Sequence, residues 1–490
     1  MVAGKLGQRT GGKRTMKTIL AMLPLILLSA CAQKATHFTP VEPAQVIPVQ
    51  QLAAAPALAT VPPLQLSPPQ VTQVGSNHFL HYFHRPGLSR NEVRLIRLNH
   101  DAYGEQADVL AEALREFKHG DMAQSPWQFS RYWSGSAGPH SFQLHATVYD
   151  IELHPAIEFF ISLWRDYPLA EVDAERVKRS LKMRRHEQRF FGNDYRRWWN
   201  LIALGEGHPY LSLQTEAERL NELQSDDLQQ IWQQHRNASA WHLLIASPTA
   251  PEALHEIFTR QLASLPIAVD KNRALPTLPP SMPLTLHVLD APGTVQTQIT
   301  LGYVLADTGP EMSLACAFLG EWLGGSFAGR LFADLRERRG LAYAVGGGCE
   351  QKPLAQMLRF GGSTRLENTG AFIHGLLDHM RLAKEQLIDA DELSLLQQQL
   401  LGEWRVGLDS VEGQLDVYGH ILQMQRSWPQ FLAREQRLQA LTPNDVQQLA
   451  QKVFAESPVI VMRGDADKIL PDLRAKFPQA NIVVEDKVPE

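Results

Sequence analysis

Residues 324–345 read GGSFAGRLFADLRERRGLAYAV, and this stretch decides how the rest of the chain is read. Phe327, Leu331 and Leu335 recur at i, i+4 and i+8, which predicts an apolar stripe on one helical face. Asp334, Arg336, Glu337, Arg338 and Arg339 fill the opposite side, and the cluster of arginines suits the negative end of a helix. Gly340 then provides the left-handed residue that commonly closes a helix. The run from Leu341 to Val345 is short and apolar, which predicts a buried strand. Arg336 and Tyr343 flank the turn and could point to one side of it. On periodicity alone they are a surface arginine and a core-edge tyrosine whose hydroxyl finds water.

The letters carry more than the periodicity. LGGSFAGRLFADLRERRGLAY, residues 323–343, resembles the C-terminal half-domain of the pitrilysin/insulinase family of zinc peptidases. That family shows a pattern of the type GG-x-x-[SAG]-[SG]-R-L-x-x-x-L-R-x-x-x-x-L-[AG]-Y. The resemblance extends over roughly residues 76–478 and is strongest from Leu286 to Thr364. Arg336 and Tyr343 match the arginine and tyrosine with which catalytic members hold the substrate carbonyl and its oxyanion, across a cleft from the zinc. The resemblance implies an α+β fold of two homologous half-domains, each a mainly antiparallel sheet with helices packed against it.

An internal duplication supports that organisation independently. Ser225-Asp226-Asp227 opens a helix followed by the strand Trp241 to Ala246, and about 218 residues later Pro443-Asn444-Asp445 opens another, followed by Val459 to Met462. Each strand precedes a further helix ending near a proline, at Leu265-Pro266 and Phe477-Pro478. A period this long means paired domains, not a solenoid. The expected divisions are an N-terminal half over 76–270, a Pro-rich linker over 271–284 and a C-terminal half over 285–490.

By the same resemblance, active members bind zinc through H-x-x-E-H on a first-half helix, where two histidines one turn apart hold the metal and the glutamate activates its water. No H-x-x-E-H occurs in this chain. The helix that fits the position, GEQADVLAEALREF, puts Asp108, Ala111 and Glu112 where His, Glu and His belong. The third ligand, a glutamate on a later helix, is replaced by Lys182, whose ammonium would repel a metal. The zinc site is read as lost. His186-Glu187, together with Asp108 and Glu112, is the one route left to an active metallopeptidase with unusual ligands. Other histidines do not form a ligand set. His374 and His379 are five apart and read as surface residues, and His78, His81 and His84 cannot share one face of a strand, nor can His140 and His145.

The N-terminus reads as a targeting segment. Lys17, the apolar run Ile19 to Leu28 and Leu28-Ser29-Ala30-Cys31 match a bacterial lipoprotein signal over 1–31, with Cys31 as the lipidated residue. Translation could begin at Met1 or Met16. By likeness to other lipoproteins, Ala32 implies transfer to the outer membrane, facing the periplasm. Residues 32–75 are rich in Pro and Ala and nearly uncharged, a tether able to reach on the order of 100 Å. Of the 3 cysteines, Cys316 and Cys349 remain, free or paired. A net charge of −5 without a basic patch argues against nucleic acid.

Some relatives work as two-chain assemblies, one chain carrying the zinc and the other the Arg/Tyr pair, around a chamber that admits extended peptides. The resemblance therefore implies a zinc-less, lipid-anchored subunit whose partner is a zinc-bearing family member. The alternative is a peptide- or protein-binding scaffold in which Arg336 and Tyr343 only pack.

Overall fold

Two short runs show how the sheets are made. In Ser141–Val148 every second side chain is buried, with Phe142, Leu144, Ala146 and Val148 turned inward. In Trp241–Ser247 all positions are buried, as a central strand covered on both faces requires. The computed structural model of the protein describes residues 64–487 except 65, 75–77, 99–105, 120–132, 139, 166, 191–193, 212–214, 237–239, 253–254, 256–258, 261–262, 264–276 and 281. The signal segment with Cys31, both candidate start residues, the tether up to residue 63 and the helix end at Leu265-Pro266 lie outside the described residues.

The N-terminal half contributes β1 (Gln70–Val74), β2 (His78–His84), β3 (Asn91–Leu98), β4 (Trp133–Ala137), β5 (Ser141–Val148) and β6 (Trp241–Ser247). They form one sheet in the order β1-β2-β6-β3-β5-β4, antiparallel except between β2 and β6. Its helices are α1 (Ala107–His119), α2 (Asp150–Arg165), α3 (Ala174–Phe190), α4 (Asp194–Leu204), α5 (Ala217–Glu222) and α6 (Ser225–Arg236). The C-terminal half repeats the plan with β7 (Thr285–Asp290), β8 (Gln296–Leu305), β9 (Ala342–Gln351), β10 (Gln356–Arg365), β11 (Val459–Gly464) and β12 (Asn481–Glu485). Its order is β12-β7-β11-β8-β10-β9, with β7 parallel to both its neighbours. The helices here are α7 (Pro310–Gly320), α8 (Thr369–Glu385), α9 (Ala390–Val406), α10 (Val411–Gln423), α11 (Trp428–Ala440), α12 (Pro443–Val453) and α13 (Ala466–Lys476).

Five strands correspond one to one in the two sheets, so the fold is the duplicated α+β architecture expected from the sequence. The sixth place differs. In the C-terminal sheet β12 fills it after helix α13, whereas in the N-terminal sheet β1 fills it from before β2. Residues 70–74, which composition assigns to the tether, are therefore part of the folded sheet, because their backbone completes the edge of β2.

Each sheet has two apolar faces, and its own helices cover one. On β6, Trp241, Leu243 and Ile245 point into the N-terminal core, while Leu244 and Ala246 point the other way, as period-two alternation dictates. That second face meets Leu415 and Tyr418 of α10, a helix of the C-terminal half. The reverse happens on the C-terminal sheet. Ile460 and Met462 of β11 join the C-terminal core, and Val461 meets Trp198 and Trp199 of α4, a helix of the N-terminal half. The Trp199 indole donates a hydrogen bond to the Val459 carbonyl at 3.0 Å. Burying an indole contributes roughly 4 kcal/mol at about 25 cal/mol per Å², so the exchanged helices lock the halves together.

One polar contact in this seam titrates. His81 of β2 lies buried with Nδ1 3.0 Å from the Tyr418 hydroxyl and Nε2 2.9 Å from Nδ1 of His242. Burial pushes the His81 imidazole down to about 3, so it is neutral in the folded protein at pH 7. An unfolded histidine takes up its proton near pH ~6.5. Below that pH the unfolded chain binds the extra proton, so stability is fully present above about 6.5 and declines as pH falls toward the folded value. The expected slope is about 1.4 kcal/mol per pH unit from this one group. Urea titrations between pH 7.5 and 5 should show His81→Gln flattening the acid limb; an unchanged slope would remove His81 as its source.

Candidate functional site

Residues 321–340 fold in three pieces. Glu321–Gly325 continues α7 as a π-type turn, residues 326–329 form a turn, and a new helix begins at Arg330 and includes the π-type segment Phe332–Arg338. Leu331 and Leu335 are buried as the stripe predicts. Phe327 is not on that stripe: it precedes the helix and is 80% exposed. Ser326 makes the break, its hydroxyl accepting the Ala328 N–H at 3.2 Å. Gly324 permits the close packing beneath, since a Cβ there would sit 2.8 Å from the Phe360 ring and 2.9 Å from the Gly347 nitrogen. Gly340 ends the helix with φ +62°, where a side chain is strained.

The strand after Gly340 is a correction to the sequence reading. It runs for ten residues as β9 and is the outermost strand of its sheet, not a buried one. Apolar composition at Leu341 to Val345 suggested burial, but the position of a strand in a sheet is set by topology. Tyr343 is in consequence 83% exposed.

Arg336 and Tyr343 are brought together. The Arg336 guanidinium lies 4.9 Å from the centre of the Tyr343 ring and 4.6 Å from that of Phe332, and Phe327 packs edge-on against Phe332 at 4.9 Å. Such stacking holds an arginine in place without consuming its hydrogen-bond donors. The only carboxylate paired with Arg336 among the described residues is its neighbour Glu337, at 3.2 Å. The Tyr343 hydroxyl has no hydrogen-bond partner among the described residues.

Neighbouring charges are structural by contrast. Arg330 donates two bonds to Glu392 of α9, at 2.9 and 2.5 Å, and lies over the Trp322 ring. Desolvation raises the Glu392 carboxyl, but bonds from Arg330 and Trp322 outweigh it and hold it below its usual range. Asp334 is buried and accepts from Arg338, Arg339 and His379, and these donors likewise outweigh desolvation and lower its carboxyl. His379 is therefore not a surface residue: it is buried 3.0 Å from Asp334, whereas His374 is exposed and stacks on Phe477.

Of the positions that the family resemblance aligns with zinc ligands, Asp108 and Glu112 are engaged by arginines. Asp108 accepts from Arg185 at 2.9 Å and from the Thr215 hydroxyl at 2.6 Å. Glu112, only 1% exposed, accepts from Ser180, Arg184 and Arg115. Ala111 offers no donor atom, and Lys182 and His186 lie exposed on α3. Among the described residues no group of three His, Cys, Asp or Glu side chains could hold a metal ion, so His186 does not join Asp108 and Glu112. Zinc does not fit this donor set. Sequence reasoning placed Asp108 and Glu112 but missed Arg184 and Arg185. The signal available was two carboxylates one turn apart facing a helix with two consecutive arginines.

His140 and His145 are structural as well. His140 is 2.8 Å from the Tyr210 hydroxyl, and His145 is 2.9 Å from Glu92. Cys316 and Cys349 form a disulfide that ties α7 to β9.

Residues 222–400 match the family model described as Peptidase M16 inactive domain. An uncharacterized zinc protease of Streptomyces coelicolor is 26% identical over 53% of this chain and 56% of its own length, and one of Bacillus subtilis is 25% identical over 34% and 41%. The chain thus spans about half the length of the curated relatives it matches. Among solved structures, the peptidase M16 inactive domain from Pseudomonas fluorescens superposes with a TM-score of 0.67 at 16% identity, covering 81% of this chain and 98% of that one. A chain of Complex III2 from Candida albicans superposes with a TM-score of 0.64 at 12% identity, covering 84% and 99%. Residues 222–400 are thus similar to the peptidase M16 inactive domain, the fold is that of M16-like structures, and the chain carries no H-x-x-E-H.

Proposed function

We propose that this chain is the zinc-less subunit of a two-subunit peptidase, supplying Arg336 and Tyr343 to the active site of a zinc-bearing family member. The observation that carries this reading is the contrast between the two candidate sites. Asp108 and Glu112 are occupied by arginines, while Arg336 and the Tyr343 hydroxyl stand ready at an exposed sheet edge. In this role Tyr343 donates a hydrogen bond to the oxyanion of the tetrahedral intermediate, and Arg336 orients the substrate backbone through its free donors. An extended peptide pairs along a sheet edge, which supplies backbone bonds without demanding a particular sequence. The resemblance to a chain of a multi-subunit complex from Candida albicans supports an assembly role. In the same reading the chain is held in the bacterial envelope by lipid on Cys31, facing the periplasm.

Three measurements test this. The chain co-expressed with a zinc-bearing relative from the same genome should co-purify with it, and Tyr343→Phe should lower kcat of the pair about 100-fold without loss of assembly. Assembly with unchanged kcat would leave the pair without a chemical role and turn the reading to a scaffold. Elemental analysis of the chain alone should find no stoichiometric zinc, even after incubation with millimolar zinc; bound metal with peptide cleavage would reverse the assignment. Glu112→Ala should cost about 2 kcal/mol by leaving its donors unpaired, whereas Tyr343→Phe should stay within about 0.5 kcal/mol. Thermal denaturation separates the two, and a harmless Glu112→Ala would mean that the arginine contacts are incidental.

A further inference from the structure

Most of the partly buried arginines in the C-terminal half have a carboxylate. Arg330 pairs with Glu392, Arg405 with Glu435 and Arg359 with Glu350. Arg426, Arg434 and Arg437 do not: among the described residues no carboxylate lies within ion-pair distance of any of them. All three line one cavity of about 550 Å³, bounded by α7, α9, α10, α11 and the far end of β9. Arg426 donates to the Ser313 hydroxyl and to the Thr308 carbonyl, both neutral acceptors. The Arg434 guanidinium lies 4.4 Å from the Trp404 ring centre and 4.0 Å from that of Phe431, and its Nε is buried without a partner. Among the described residues Asp416 is the only acid in the lining, and it is already held by Arg94 from the N-terminal half.

Three guanidinium groups around one partly enclosed space, with its sole carboxylate spoken for, are costly to hold unless an anion joins them. Burial lowers Arg434 to about 10 and, with the charges of Arg426 and Arg434, keeps His420 below its ordinary value. At neutral pH the arginines stay charged and the imidazole is neutral. The stacked Arg434 keeps its fork oriented, and arginine forks match the oxygens of phosphate and carboxylate. The rest of the wall includes Leu314, Ile421 and Met424, which suit an apolar body rather than a bare ion.

We propose that this cavity binds a small organic anion, with a phosphate or carboxylate head among Arg426, Arg434 and Arg437 and an apolar body against Leu314 and Met424. The site is separate from the Arg336/Tyr343 pair and does not depend on the subunit reading.

The test is calorimetric titration of the purified full-length chain with phenyl phosphate, phenylacetate and inorganic phosphate in low-salt buffer. One of the two aromatic anions should bind at one per chain, and which of them binds identifies the head group. Inorganic phosphate should bind at least about tenfold more weakly, because it leaves the apolar wall unused. Arg437→Gln and Arg434→Gln should each weaken binding by about tenfold or more. Arg434 is wedged between two rings, so if its variant does not fold, Arg437→Gln carries the test. No binding to the folded chain at roughly 10 mM of any probe would overturn the proposal. So would affinities unchanged in the variants, or inorganic phosphate binding as tightly as the aromatic anions.

Discussion

The central strand of each sheet is apolar on both faces, and each half of the chain has helices for only one of them. Val461 of β11 needs Trp199 from the other half, and Leu244 of β6 needs Tyr418. This mutual requirement makes the two halves one cooperative body. It is reinforced by polar groups that would be stranded on separation. Arg94 is almost fully buried and finds its acid, Asp416, across the seam, and the Leu354 N–H donates to Tyr210 from the other half. Removing either exchanged helix would expose an apolar sheet face and unpair charges in the same step.

Charge is used in opposite ways by the two halves. In the N-terminal half, α1 and α3 are joined by carboxylate–arginine pairs. Carboxylates engaged by guanidinium and hydroxyl donors have most of their lone-pair sites taken, and the guanidinium charge repels a cation. The arginines therefore bridge the two helices with fixed charges. In the C-terminal half the buried Asp334 and the half-buried Glu392 are engaged by arginines in the same manner, which leaves Arg336 as the arginine held by stacking instead of by a strong ion pair. The helix thus spends its local carboxylates on structure and keeps one guanidinium available.

Much of this was legible in the letters. Leu331, Leu335, the Gly340 terminus and the proximity of Arg336 to Tyr343 follow from helical spacing and a family-specific motif. The duplication was legible because two helix-opening signals and two apolar strands recur in the same order. What failed was anything set by long-range topology. Leu341 to Val345 is as apolar as a central strand, yet nothing local says that no further strand lies beyond β9. Phe327 fits the stripe by number, but Ser326 turns the chain before the helix begins. His379 has surface spacing and is buried because Asp334, 45 residues away, needs a donor. The arginines of that cavity were invisible for the same reason: Arg434 and Arg437 on α11 look like a solvated face, and only packing against α7 and α10 turns them, with Arg426 from the preceding loop, toward one space.

β9 links the Arg336/Tyr343 pair to the arginine cavity. Tyr343 stands near its first residue, and Cys349 and Gln351, at its other end, line the arginine cavity. At about 3.3 Å per residue the ends of such a strand are roughly 25–30 Å apart, so a ligand in the cavity and a peptide at Tyr343 would not collide. An edge strand is normally the most pliable part of a sheet, but this one is fixed along its length. Gly340 sets its entry, the close contact of Gly324 with Gly347 holds its middle, and the Cys316–Cys349 disulfide anchors it to α7. A tyrosine on a restrained strand, braced by an arginine from the preceding helix, loses little freedom when it meets a partner. That economy explains why Tyr343 can be so exposed and still be positioned.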